Sequence, residues 1–220
     1  MVKQVRAART RQTLLLAAAE IFADEGYVLA TLPAISKRAG VSSGALHFHF
    51  ASKDSLAAEV EAEAAESVRK LADRCRSEAR TSLQALVDTT CRLLLVLAAD
   101  PVVRAGFRLS CDPSRKGEAE MLQWWRTLVH DLIMQAERAG ELAHDVSPEA
   151  ATVAVVAATL GFQAAGAADR AWLAAERVAQ FWTFILPRLA SSPEHGLVPT
   201  APGVAWTDGP RESAHTVANS

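Results

Sequence analysis

Cysteine is scarce in this chain, and stretches that alternate apolar with polar residues are nearly absent. The three cysteines, Cys75, Cys91 and Cys111, form no Cys-x-x-Cys pair and no metal-ligand spacing. A disulfide scaffold and a zinc module are thereby excluded, and an odd number of widely spaced thiols fits a reducing cytoplasm. Charge of one sign is missing too. The 23 basic and 25 acidic side chains leave a net charge of −2, which argues against a uniformly basic nucleic-acid coat but not against a local basic patch. Ser110, Cys111, His130 and Asp131 supply reactive side-chain types. They stand in no Gly-x-Ser-x-Gly elbow and in no base–orienter spacing, which leaves an enzyme as the remote alternative. Nothing in the pattern requires a metal or a cofactor, and there is no internal repeat.

Long hydrophobic runs are equally sparse. The longest charge-free run, residues 150–168, approaches spanning length. It is built from Ala, Val, Gly and Thr, with Gln163 inside and a single leucine. That composition predicts a buried helix at a helix–helix interface and no membrane partner. The basic start followed by a short apolar run is interrupted by Glu20 and Asp24, so no secretory signal is expected there.

What the chain does contain is helix. Half of its 220 residues are hydrophobic, enough for a sizeable core. Ala, Leu, Glu and Arg recur with 3.6-residue spacing, which predicts an all-α fold. Leu14, Leu15, Ala18, Ile21 and Phe22 form one stripe, stopped at Gly26. Thr31, Ser42 and Ser52 are placed to cap three further helices, the last a long one to about Arg80. Ser82–Ala99, a restart at Asp100-Pro101, Glu118–Ala139, a helix opened by Ser147-Pro148 and a final one over Asp169–Leu189 complete the body. Five of the nine prolines fall between Pro187 and Ser220, so residues 191–220 read as a disordered tail.

Charge divides unevenly over this layout. Residues 1–53 hold seven basic and three acidic side chains, a net +4, which leaves −6 for the remainder. A small basic head on an acidic body suits a protein in which only the head meets phosphate.

The informative stretch is TLPAISKRAGVSSGALHFHF, residues 31–50. It reads as helix, glycine-containing turn, helix. Ala34, Ile35 and Ala39 give one packing face, Gly40 the left-handed turn, Val41 the plug, and Leu46 and Phe50 the core side of the second helix. Ser43, Gly44 and His47 then lie opposite. This is helix-turn-helix geometry, whose second helix enters the major groove.

Residues 30–56, ATLPAISKRAGVSSGALHFHFASKDSL, resemble the DNA-binding signature of the TetR family of dimeric bacterial repressors. VKQVRAARTRQTLLLAAAEIFADEGY, GALHFHFASKDSLA, PVVRAGFRLS and WWRTL are similar to the γ-butyrolactone receptor subfamily of actinomycetes. The resemblance implies a helix-turn-helix DNA-binding domain over 1–53 and a helical ligand-binding and dimerisation domain over 54–190. It implies a homodimer on a palindromic operator, released by a small signalling lactone. A pseudo-receptor of the same fold, answering to an antibiotic or biosynthetic intermediate, is the alternative.

By that resemblance Ser42, Ser43, Gly44 and Ala45 lie near the groove. His47, His49, Lys53 and Thr31 match positions that meet phosphate, and Lys3, Arg6 and Arg9 form a basic arm. Trp125 aligns with the subfamily's pocket tryptophan, with Val103, Phe107, Leu128, Leu132, Phe162 and Gln163 as further lining. Each of these also suits plain core packing. The dimer is expected through residues 150–166 and the last helix with Trp172, Phe181, Trp182 and Phe184. Two departures stand out: relatives often carry Lys at the position of Ser43 and Tyr at that of His47.

Overall fold

The computed structural model describes residues 2–115 and 120–191, all of them in or between helices. The expected tail, apart from Ser191, lies outside the described residues, as do residues 116–119 of the loop before the seventh helix and the side chain of Lys3. Helix α1 is Val2–Glu25, α2 Leu32–Ala39, α3 Ser43–His49, α4 Lys53–Glu78, α5 Ser82–Ala99, α6 Pro101–Ser110, α7 Glu120–Arg138, α8 Pro148–Ala168 and α9 Ala175–Leu189. The only bridge among the described residues is an isolated antiparallel pair, Leu142 with Ala190.

Most boundaries are chemical. Thr31, Ser42, Ser52, Thr81 and Ser147 each accept a bond from the backbone N–H three residues on, and the Asp100 carboxylate takes those of Val102 and Val103. Each such cap is worth about 1 kcal/mol. Gly40 closes α2 in the left-handed region at φ 66°, and Val41 N–H bonds Ser36 C=O at 3.1 Å. The turn of the helix-turn-helix is therefore a glycine C-cap with its backbone bonds satisfied.

Two expectations need correction. The final helix is broken: Asp169 caps a short 3-10 turn, Arg170–Leu173, and α9 begins only at Ala175. Helix α8 is not buried all round. Ala151, Val155, Val156, Thr159 and Gly166 face the core, while Val153, Ala154, Ala157, Gly161 and Ala164 form an exposed small-residue face. Helices α5 and α8 are both long and apolar enough to cross a membrane. α5 sits mostly inside the core, and only α8 presents an apolar face to the outside.

Helix α6 holds the two halves together. It packs on α4 so closely that a Cβ at Gly106 would stand 2.3 Å from Ala64 Cβ. Its far side packs on α1, where Arg108 donates to Ala23 C=O at 2.7 Å and Arg104 lies 3.9 Å from Asp24. Two cations thus sit at the negative end of the α1 dipole. Gly26 turns the chain at φ 84° directly against Arg108. Next to it, Tyr27 donates to Asp54 at 2.6 Å, and Lys53 donates to Tyr27 C=O and Ala30 C=O at 2.9 and 3.0 Å. Arg115 lies over the Tyr27 ring and pairs with Glu61 of α4.

Two tests follow from this corner. Gly106→Ala gains helix propensity yet forces α4 and α6 apart, and the overpacking is expected to destabilise the fold by about 1–3 kcal/mol, read as a lower thermal midpoint. Tyr27 is the chain's single tyrosine. Its phenol is pushed up to about 12, first by burial and then by the bond it donates to Asp54. The unfolded chain ionises near pH 10, so this stabilisation is whole below about pH 10 and is lost as the pH rises through about 12. Phenolate absorbance should therefore titrate near 12 and move down in Asp54→Asn; a wild-type midpoint near 10 would remove the latch.

Candidate functional site

The first candidate surface is the outer side of α3. Leu46 and Phe50 are buried, which turns Ser43, Gly44, His47 and Phe48 outward; all four are exposed. Gly44 has open space around it, since a Cβ there would meet only Ser42 Oγ at 4.0 Å. The fold has room for a side chain at 44, and glycine in a helix costs about 1 kcal/mol relative to alanine. Its smallness therefore serves no packing need within the chain.

Thr31 and Ser42 stand at the starts of α2 and α3, with Oγ1 and Oγ accepting from Ala34 and Ala45 N–H at 3.3 and 3.2 Å. A capping hydroxyl that accepts still has its own O–H to donate, for instance to a phosphate oxygen. Ala45 is half-buried beneath this surface. Arg6 and Arg9 are exposed along α1, with no ion pair among the described residues. Arg11 instead pairs with Glu59 at 2.6 Å, and Arg38 with Glu20 at 2.8 Å.

Lys53 departs from expectation. Two of its three N–H donors go to the Tyr27 and Ala30 carbonyls, and the ammonium lies 4.2 Å from the Tyr27 ring centre. One donor remains for an outside partner. Phe48 is the residue that sequence reasoning passed over. It is 81% exposed, one helical turn from Gly44, with its ring edge-on to half-buried His49 at 5.1 Å. An apolar ring at i+4 from the outward-facing glycine was the available signal.

The second candidate site lies in the helical body. Val103 and Phe107 of α6 and Trp125, Leu128 and Leu132 of α7 are all buried in one continuous core. Phe162 and Gln163 are half-buried on α8, and Phe162 meets Trp172 and Phe181 edge-on at 6.3 and 5.8 Å. That ring belongs to the α8–α9 packing rather than to an open chamber. Three cavities among the described residues are lined by none of these seven: one between α4 and α7, one between α4 and α5, one between α7 and α8.

One feature of this core is polar. Trp125 is 0% exposed, and its indole Nε1 has no hydrogen-bond partner. Trp182 of α9, expected at a dimer face, is also fully buried with an unpaired Nε1. A buried unpaired donor costs about 1–3 kcal/mol. Trp124 points elsewhere, with Arg69 over its ring at 5.8 Å.

Reactive side chains do not converge. Ser110 Oγ donates to Glu61 at 3.0 Å, Cys111 is exposed, and half-buried His130 lines a shallow groove beside Glu149. No group of three metal-ligating side chains occurs among the described residues.

Known proteins share this arrangement. Residues 14–60 match the family of bacterial regulatory proteins, tetR family. The A-factor receptor protein of Streptomyces griseus is 33% identical over 192 residues, 86% of this chain and 67% of that protein. A crystal structure of a gamma-butyrolactone receptor (ArpA-like protein) superposes with a TM-score of 0.72 at 28% identity, covering 84% of this chain and 90% of that one. The TetR family protein CprB from Streptomyces coelicolor, in complex with its operator sequence, gives 0.70 at 28% identity over the same shares. These relatives are regulators rather than enzymes. The chain belongs to the tetR family of bacterial regulatory proteins and is a transcriptional regulator related to the gamma-butyrolactone receptors.

Proposed function

We propose that this protein is a ligand-responsive repressor: a homodimer that binds a palindromic operator and is released by a γ-butyrolactone-type molecule. The observation that carries the ligand half is the Trp125 indole, wholly buried with its N–H unpaired. A lactone offers a carbonyl acceptor and an alkyl tail. An indole donor set among Val103, Phe107, Leu128 and Leu132 suits both, one end polar and the other apolar. Trp182 supplies a second donor in the same core. The core is closed in this conformation, so the ligand must stabilise a more open one. That is the thermodynamic requirement for release: the effector binds the DNA-incompetent form more tightly.

Residues 1–53 are read as the DNA-binding unit and 54–190 as the ligand and dimer unit. Ser43, Gly44, His47 and Phe48 face the groove. Thr31, Ser42, His49, the free Lys53 donor, Arg6 and Arg9 meet the backbone. Two copies join through the small-residue face of α8 and through Phe184 of α9, which is 80% exposed. A dimer places its two recognition helices about 34–36 Å apart on one side of the duplex. Such a protein works in the cytoplasm.

The first experiment is a gel shift on DNA from around the protein's own gene, with and without a small-molecule extract of the producing culture. A specific shift released by a lactone fraction supports the receptor. Release by an antibiotic or its precursor points to the pseudo-receptor, and no shift at low salt overturns the reading. Trp125→Phe, which keeps an aromatic ring but removes the donor and part of the indole volume, is expected to leave the shift intact and weaken release about tenfold or more. Gly44→Ala should move two readouts in opposite directions: the fold gains about 0.5–1 kcal/mol, while operator affinity drops.

A further inference from the structure

Helices α4 and α5 enclose a groove of about 520 Å³ whose lining combines positive charge with apolar surface. On α4 the lining is Ser67, Lys70, Leu71 and Arg74, spaced i, i+3, i+4 and i+7; on α5 it is Arg92, Leu95 and Val96, spaced i, i+3 and i+4. Each helix thus presents one face to the groove. The lining contains three cations and no acid.

The cations differ in how far they are neutralised. Lys70 has a solvent-exposed partner, Glu66, at 3.1 Å, and Arg92 Nη2 holds Glu78 at 2.9 Å. Arg74 has no carboxylate within ion-pair distance among the described residues. Arg92 carries a further signal, since its Nε is buried and has no hydrogen-bond partner. A guanidinium is planar and donates from several N–H groups at once. Glu78 takes Nη2, and buried Asp88, one turn earlier on α5, adds further negative charge near the guanidinium. Leu71, Leu95 and Val96 form the apolar part, and the volume lies in the range of small-molecule sites, about 300–1,000 Å³.

We infer that this groove binds an amphipathic carboxylate, an acyl chain with an anionic head. The head pairs with exposed Arg74 and with the Arg92 guanidinium. The chain lies over Leu71, Leu95 and Val96, and Lys70 closes the rim. Charge selects the ligand class: a neutral lactone gains nothing from three cations, and a cationic amphiphile is repelled. The site is separate from the Trp125 core and does not depend on the lactone reading. It lies on α4, the helix that follows the helix-turn-helix directly.

The test is calorimetric titration of the full-length protein with decanoate, decanol and decyltrimethylammonium. Decanoate is expected to bind at one site per chain, with decanol and the ammonium at least about tenfold weaker. Arg74→Glu, at an exposed position, should weaken decanoate about tenfold or more with an unchanged thermal midpoint, and Leu95→Gln should also weaken it. Trp125→Phe should leave decanoate affinity unchanged, which separates this groove from the interior core. Equal binding of decanoate and decanol, no loss in either groove variant, loss in Trp125→Phe, or no saturable binding would each overturn the proposal.

Discussion

The contact between α6 and α4 at Gly106 and Ala64 fixes much else in this molecule. Two helices approach there without a side chain between them, so their crossing cannot slide without a clash or a void. α6 is short, ten residues capped by Asp100 at one end, and its other face carries Arg104 and Arg108 onto the end of α1. A displacement of α6 therefore reaches α1 through charge–dipole and hydrogen-bond contacts, and α4 through close packing. The helix-turn-helix hangs from both helices. Tyr27, Lys53 and Asp54 complete the attachment at the turn after α1. A change of core volume around Phe107 and Trp125 therefore reaches α3 through the packed helices α6, α4 and α1.

The sequence was most legible where structure is local. Thr31, Ser42, Ser52, Asp100 and Ser147 announce their helices because a cap needs only a short polar side chain and the next three residues. Gly40 is equally readable, since a left-handed turn after two basic residues favours glycine. The outward face of α3 followed from the spacing of Leu46 and Phe50. What was not legible depends on long-range contact. Nothing near Lys53 in sequence says that its ammonium reaches the Tyr27 and Ala30 carbonyls. Trp182 and Phe184 are two residues apart on an aromatic helix, and only packing decides that one is core and the other surface. The break at Arg170–Leu173 arises because Asp169 caps a turn too short to continue, while the apolar period runs on through it.

The one-sided burial of α8 changes the meaning of its composition. A charge-free helix of Ala, Val and Gly suggests a core or a membrane. Here its inner face completes the core and its outer face is a smooth strip of small side chains. Such a strip lets another helix come close with little loss of side-chain entropy. A second copy of this chain is the occupant proposed for it.

The two caps at Thr31 and Ser42 have a consequence for dynamics. Each hydroxyl accepts from an amide at the start of α2 or α3 and keeps its own O–H to donate. A phosphate that takes that proton polarises the oxygen and strengthens the bond to the amide behind it. Contact with a duplex at these hydroxyls would then tighten the first turn of each helix. The amides of Ala34 and Ala45 would thereby report occupancy, exchanging with solvent deuterium more slowly when the backbone of the nucleic acid is in place.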